Sequence, residues 1–365
     1  MDLPPMIAEA LHAYSGRRVF VTGHTGFKGA WLCVWLDRLG ARTTGYALPP
    51  ESRSLFLQAR IAERIDSREG DVRDLECVRA AVREAQPEIV FHMAAQSLVR
   101  LSYETPVETF ATNVMGTAHL LEAVREVPSV RSVVIVTSDK CYENDGRAEP
   151  FIESAALGGH DPYSASKGCA ELVTAAYARS FFADSQCTVV SARAGNVIGG
   201  GDWAVDRIVP DLARAAESGI PAVIRQPKAV RPWQHVLEPL GGYLLLAHRA
   251  ADEGQRLAGP WNFGPALEDG VAVRDLVEQL RHCWPEVEVN YRADESGLHE
   301  AAVLRLDCSK ARTQLGWRPV LGLDRTLDMT ASWYREAASG SAAEITDRQI
   351  AEYEQLLMKQ EELCR

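Results

Sequence analysis

The chain of 365 residues is 46% hydrophobic and carries a formal net charge of −11, with 39 Lys and Arg against 50 Asp and Glu. Length and apolar content suffice for a large core, so neither a disordered chain nor a small disulfide-stapled scaffold fits. The negative balance excludes a nonspecific nucleic-acid binder, although local arginines can still hold an acidic small molecule.

The amino end, Met1-Asp-Leu-Pro-Pro-Met, lacks a basic segment followed by an apolar run, and no stretch approaches ~18 uninterrupted apolar residues. A cytoplasmic protein with no membrane partner is expected. The first strand candidate, Arg18 to Thr22, runs straight into Gly23-His-Thr-Gly26-Phe-Lys-Gly29 and then the helix-like Ala30 to Gly40. In such a strand–loop–helix unit Gly23 permits a tight turn, Gly26 lets the backbone approach a pyrophosphate, and Gly29 allows close helix packing. The free N–H groups at the helix start then face the anion. The second strand candidate, Thr43 to Ala47, has no acidic residue at its end to bind an adenosine ribose, and Glu51 and Arg53 beyond it point in opposite directions on NAD against NADP.

Further strands are expected at Ile89 to His92, Ser132 to Thr137 and Thr188 to Ala192, and helices at Leu75 to Ala85, Val107 to Val127 and Tyr163 to Phe182. This alternation predicts an α/β fold, a doubly wound parallel sheet of Rossmann type, with a smaller mixed α/β lobe attached. The nucleotide-binding domain is expected over 1–196 plus roughly 234–258. The substrate lobe takes 197–233 and 259–340, opening on Gly199-Gly-Gly-Asp-Trp, where glycine, proline and tryptophan become frequent. The acidic tail 341–365 reads as an amphipathic helix with Ile345, Ile350, Tyr353 and Leu357 on one side, suited to packing or subunit contact.

Tyr163 and Lys167 stand four residues apart, about one helical turn. Beside a dinucleotide loop that pair points to chemistry on a carbinol. A phenol, which ordinarily titrates near pH ~10, is a poor base at neutral pH, and a lysine cation together with a nicotinamide cation stabilises its phenolate. Ser138, at the end of the strand before, is placed to hold the substrate hydroxyl, and Asp139 and Lys140 add two titratable groups. The eight cysteines form no Cys-x-x-Cys pair and read as reduced thiols, with Cys141 a packing residue. His92 reads as a structural histidine, and no spacing predicts a metal.

The motifs Thr22-Gly-His-Thr-Gly-Phe-Lys-Gly, Phe91-His-Met-Ala-Ala-Gln, Thr112-Asn-Val-Met-Gly-Thr, Thr137-Ser-Asp-Lys-Cys-Tyr, Asp161-Pro-Tyr-Ser-Ala-Ser-Lys and Arg193-Ala-Gly-Asn-Val-Ile-Gly-Gly-Gly-Asp-Trp, with Arg231-Pro-Trp-Gln-His-Val, carry a resemblance over nearly the whole chain. It is to the extended short-chain dehydrogenase/reductases and, within them, the CDP-glucose 4,6-dehydratases of deoxysugar biosynthesis. The resemblance implies an NAD cofactor held by Gly23, Thr25, Gly26, Phe27, Lys28, Gly29, Asp71, Val72, Ala94, Ala95, Gln96, Asn113, Tyr163 and Lys167, with Asp71 near the adenine. It implies catalysis by Ser138, Asp139, Lys140, Tyr163 and Lys167, and a CDP-glucose site that includes Asn196, Arg207, Arg231 and His299. The implied reaction oxidises C4, eliminates water across C5 and C6, and returns the hydride to C6. Asp139 is then the acid toward the C6 oxygen, and Lys140 is either the C5 base or a stabiliser of the enolate. A homodimer or homotetramer, paired through the helices from Val107 and Tyr163, is also implied. Asp139-Lys140 departs from the Asp-Glu of dTDP-glucose dehydratases. The alternatives are a 4-epimerase, which needs no such pair, a dehydratase for another nucleotide sugar, and a noncatalytic dinucleotide sensor.

Overall fold

In the computed structural model, which describes residues 7–147, 149–266, 270–292 and 304–363, seven parallel strands form one sheet. In chain order they are β1 (Arg18–Thr22), β2 (Arg42–Ala47), β3 (Asp66–Glu69), β4 (Ile89–His92), β5 (Ser132–Val136), β6 (Thr188–Ala194) and β7 (Gly259–Phe263). Their spatial order is β7-β6-β5-β4-β1-β2-β3. Chain order therefore reverses at β1, which pairs Val21 with Gly45 of β2 on one side and with Phe91 of β4 on the other. This is the doubly wound arrangement expected from the sequence.

Alternate residues of the central strands feed two cores, one on each face of the sheet. Val19 and Val21 join Phe91 and Val134 in the larger core, which holds the buried Trp31, Trp35, Trp261, Trp317 and Trp333. Phe20, Val90 and Val133 point the other way, against Val78, Val82, Leu120 and Leu121 of the helices Leu75–Ala85 and Gly116–Arg125.

Two strands escaped the sequence pattern. Asp66–Glu69 is wholly polar because it is the sheet's edge, mostly exposed, and needs no apolar face. Gly259–Phe263 lies in the stretch expected to belong to the smaller lobe, and the structure corrects that: it pairs with β6 from Gly259 opposite Val190 to Phe263 opposite Ala194, and closes the main sheet. The expected helix over 107–127 is found as Pro106–Phe110, a wider turn over Ala111–Met115, and Gly116–Arg125. The helix Pro162–Tyr177 likewise continues through a wide turn at Ala178–Phe182.

Beyond β6 the chain builds three short strand pairs, Val197–Ile198 with Gln234–His235, Val230–Pro232 with Gly270–Ala272, and Ala222–Ile224 with Val289–Tyr291. The helix Ile208–Ser218 packs beside the last of these. Among the described residues no helix is long and apolar enough to cross a membrane. The seven described cysteines are all free thiols.

The tail forms the helix Ala342–Leu363, and Ile345, Ile350, Tyr353 and Leu357 are buried against the rest of the chain. Trp35 meets Tyr353 edge to face at 5.7 Å, and the Tyr353 hydroxyl donates to Glu238 Oε2 at 2.8 Å. Glu238 is fully buried, and its other oxygen accepts the Val320 and Leu321 N–H groups at 2.8 and 2.6 Å. Replacing Tyr353→Phe takes one donor from that carboxylate, and the unpaired acceptor is expected to cost about 1–3 kcal/mol of stability. Urea denaturation checks this, and an unchanged midpoint would show that the hydroxyl anchors nothing.

Candidate active site

The carboxyl ends of β1, β4, β5 and β6 open into one cavity of about 560 Å³ that runs from the glycine loop to the short strands beyond Asn196. At one end Gly23 adopts φ +72°, and a Cβ there would lie 2.6 Å from the Ala94 backbone nitrogen. A Cβ on Gly29 would lie 2.2 Å from the Gly23 carbonyl, so both glycines are required by backbone contact. Gly26 is different: it is exposed, and a Cβ would meet only Gly23 O at 3.4 Å. The helix Phe27–Arg38 that follows has no side-chain cap. Its unpaired N–H groups and the bare Gly26 backbone therefore fit a pyrophosphate.

The other expected cofactor residues divide into two groups. Thr25, Phe27, Lys28, Asp71, Val72, Ala94 and Ala95 line the cavity. Asp71 is engaged by Arg73, whose Nε and Nη2 reach its Oδ2 at 2.8 and 2.6 Å. Gln96 and Asn113 stand just behind the cavity lining. Asn113 sits in the wide turn of its helix, accepts the Gln96 N–H at 2.9 Å and donates to Gln96 O at 2.9 Å and Ser166 Oγ at 2.8 Å. It braces the loop after β4 against the helix that carries Tyr163.

At the β2 end, Arg53 lies 3.4 Å over the Trp203 ring and donates to Glu217 Oε2 at 2.7 Å.

Ser138 follows β5 and caps a short turn, accepting the Lys140 N–H at 3.2 Å. Its hydroxyl donates to Asp139 Oδ1 at 3.0 Å and is hydrogen-bonded to the Tyr163 phenol. Asp139 is 2% exposed, and its Oδ2 also accepts from Asn196 Nδ2 at 3.4 Å. Lys140 is half-buried on the cavity wall. Tyr163 and Lys167 project from the helix Pro162–Tyr177, whose start is fixed by Asp161 accepting the Ser164 N–H at 2.9 Å.

The sequence expects Lys167 to lower the Tyr163 pKa, but in the structure burial dominates and pushes the phenol up to about 12. The Ser138 hydrogen bond is the largest influence the other way, followed by the charge of Arg207, while Asp139 adds to the rise. Burial also pushes Lys167 down to about 8 and, with Lys167 and Arg207 nearby, Lys28 down to about 7.

Of the expected substrate residues, Asn196, Arg207 and Arg231 all line the cavity, and His299 lies outside the described residues. Arg207 is held by Asp202 Oδ2 at 2.9 Å and Ser97 Oγ at 2.8 Å, and its charge reaches Tyr163. Trp233 lines the same wall, while His92 accepts or donates at 2.8 Å to Thr22 Oγ1 behind it and is a structural group. Among the described residues no cluster of three or more His, Cys, Asp or Glu is arranged to hold a metal ion.

Two residues were missed from sequence. Tyr243, buried behind the cavity wall, accepts from Lys28 Nζ at 3.0 Å from a helix more than 200 positions away, with no local signal. Gly195 has a weak one, a glycine at a strand end before Asn196: a Cβ there would lie 1.8 Å from Asp139 Oδ2. The same elbow holds Asn196 at φ +49°.

The model of the GDP-mannose 4,6 dehydratase family matches residues 20–330. The chain belongs to this family. Within it, the chain is 49% identical to the CDP-glucose 4,6-dehydratase of Salmonella typhimurium, covering 93% of this chain and 97% of the relative. It is 27% identical to a dTDP-glucose 4,6-dehydratase of Xanthomonas campestris pv. campestris over 86% of this chain and 92% of the relative. Among solved structures, the dTDP-glucose 4,6-dehydratase DesIV of Streptomyces venezuelae, with NAD and TYD bound, superposes with a TM-score of 0.74 at 25% identity, covering 87% of this chain and 97% of that one.

In this family member the Gly195–Asp139 contact makes a sharp test. Gly195→Ala is expected to displace the carboxylate and lower turnover about 10²-fold, because misplacement of about 1 Å suffices for such a loss. Circular dichroism should be unchanged, and wild-type kcat in the variant would show that Asp139 needs no such placement.

Proposed function

We propose that this chain is a cytoplasmic, NAD-dependent CDP-glucose 4,6-dehydratase, a hydro-lyase that forms CDP-4-keto-6-deoxyglucose. The observation that carries the reading is Asp139, a buried carboxylate touching Ser138 beside Tyr163 in the nucleotide cavity. Oxidation and epimerisation at C4 do not require it, whereas loss of the C6 hydroxyl requires an acid. The relative at 49% identity supports the nucleotide base and the sugar. The solved relative with NAD bound, and the bare glycine turn, support the cofactor.

When bound along the glycine loop, NAD supplies hydride acceptance from C4 and hydride return to C6. The chain's own groups manage the protons. Tyr163 takes the proton of the 4-hydroxyl, which Ser138 holds in reach. At about 12 the phenol is neutral at pH 7, so its activation depends on the Ser138 hydrogen bond and the Arg207 charge already in the cavity, and on the positive charge a bound nicotinamide would bring. The new 4-ketone acidifies the C5 hydrogen. Lys140 takes that proton as the base while Asp139 gives one to the departing C6 oxygen, so that water leaves, and the hydride returned to C6 is matched by return of the Lys140 proton to C5. Arg231 is matched to the diphosphate by its forked donors.

Mass spectrometry of CDP-, dTDP-, UDP- and GDP-glucose, each incubated with enzyme and catalytic NAD, tests the reading. Loss of one water from CDP-glucose without net reduced cofactor is expected. Loss from another nucleotide moves the substrate, and loss from none of them sinks the proposal. Tyr163→Phe should lower kcat by about 10²–10⁴-fold with cofactor binding retained. Asp139→Asn should still reduce the cofactor on mixing with substrate but release little dehydrated product, which stopped-flow absorbance can separate.

The oligomer is part of the same proposal. Val107 and Met115 on one helix, 81% and 50% exposed, and Leu172 and Phe181 on the neighbouring one, 58% and 49% exposed, leave an apolar face that suits pairing with a second copy. Leu172→Glu is expected to shift the sedimentation coefficient from dimer or tetramer toward monomer; a wild-type that already sediments as a monomer would rule the pairing out.

A further inference from the structure

Behind the cavity wall lies a buried ion pair that makes no contact with the cavity. Glu171 Oε2 accepts from Arg193 Nη2 at 2.7 Å, with both side chains 3% exposed. Glu171 is one turn beyond Lys167 on the helix Pro162–Tyr177. Its Oε1 accepts the hydroxyl of Thr137, the residue before Ser138, at 2.5 Å, and its Oε2 accepts Ser191 Oγ at 2.7 Å. One carboxylate thus ties together the two elements that carry Ser138, Asp139 and Lys140 on one side and Tyr163 and Lys167 on the other.

Arg193 extends the tie. Its Nη1 donates to the Tyr142 hydroxyl at 2.7 Å and to Glu153 O at 2.9 Å. Tyr142 follows the Ser138 turn and donates to Asn262 Oδ1 of β7 at 2.7 Å. Every proton-transfer residue is therefore referred to one network spanning β5, β6, β7 and the catalytic helix. A buried ion pair is weak evidence for stability, because desolvation offsets most of the attraction. Its use here is better sought in position and charge.

The charge state of Lys167 depends on the groups that face it. On its own helix stand Tyr163, a neutral phenol at working pH, and Glu171. The turn after β5 contributes Cys141, a thiol that burial keeps protonated. The end of β4 contributes His92, which burial keeps neutral, and the glycine-loop helix contributes Lys28, which is neutral or positive. Glu171, one turn along the same helix and paired to the Arg193 guanidinium of β6, is the carboxylate among these groups, and it is the largest influence that keeps Lys167 an ammonium against its burial.

We propose that Glu171 and Arg193 are positioning residues for the dehydratase reaction: their ion pair fixes the Tyr163–Lys167 helix against the Ser138–Asp139 turn, and the Glu171 carboxylate holds Lys167 in its charged form. The proposal rests on the dehydratase reading for its kinetic readout only.

The test compares kcat and KM against pH for wild type, Glu171→Gln and Arg193→Lys, with CDP-glucose as substrate. In wild type, activity is expected to fall as pH rises through about 8, where Lys167 loses its proton. Glu171→Gln keeps the shape but removes the charge. Its kcat should fall about 10²-fold with KM little changed, and its alkaline limb should move down by about one pH unit. Arg193→Lys keeps a charge but loses the forked contacts, so kcat should fall with the limb in place. An alkaline limb in Glu171→Gln that stays with wild type overturns the charge role, and wild-type kcat in both variants overturns the positioning role. If Glu171→Gln does not fold, Arg193→Lys alone decides, since wild-type kcat there contradicts the proposal. If the wild type dehydrates no sugar nucleotide, the dehydratase reading fails separately. The pH dependence of NAD binding, followed by tryptophan fluorescence, then carries the same comparison, with the Glu171→Gln limb again expected below that of wild type.

Discussion

Parallel pairing of β1 with two strands that run to opposite ends of the sheet is the constraint from which the site follows. Because every strand points the same way, all the carboxyl ends lie along one edge, and because chain order reverses at β1, the crossover helices leave on opposite faces there and a crevice opens between them. The loops after β1 and β4 meet in that crevice, close enough that Gly23 cannot carry a side chain against Ala94. The loop after β5 then brings Ser138 to the same edge, and the short strands beyond β6 supply the far wall. None of Ser138, Asp139, Tyr163 and Lys167 is placed by its own loop alone.

Charge inside the crevice runs opposite to the chain as a whole. The protein is acidic, with a net charge of −11, yet Lys28, Lys167, Arg207 and Arg231 all line one cavity. Burial weakens the hold of Lys28 and Lys167 on their protons, and at Lys28 the charges of Lys167 and Arg207 add to the effect. A ligand bearing phosphates relieves this, because its anionic oxygens favour the charged lysines. The site is thus poorly suited to neutral sugars and well matched to dinucleotides and nucleoside diphosphate sugars.

Much of this was legible in the amino-acid sequence, for reasons that particular residues make plain. β1, β4, β5 and β6 are near-continuous apolar runs because both their faces are buried, and the helix Pro162–Tyr177 begins at an Asp-Pro pair with a capping carboxylate. β3 was illegible because an exposed edge strand needs no apolar residues. β7 was illegible because its glycine, proline and tryptophan read as loop until β6 supplies a partner. At the site, Ser138, Asp139, Tyr163 and Lys167 were readable from spacing. Tyr243 was not, since it meets Lys28 only through the tertiary packing of a distant helix. Gln96 and Asn113 show what spacing leaves out: the Asn113 amide holds the Gln96 backbone, and the Gln96 amide holds the Leu98 backbone and the Thr109 hydroxyl, so both brace the loop that the cavity wall rests on.

Arg53 draws the segment after β2 to the helix Ile208–Ser218 through Glu217 and to Trp203 through its ring, so the rim beside the cofactor end is fastened to the wall of the sugar end. The fastening is made of side chains 45% and 40% exposed, and such pairs contribute only about 0–1 kcal/mol. A tie of that strength adds little to the folding free energy, so its effect is local: it fixes where the rim segment lies against the helix, not whether the fold forms.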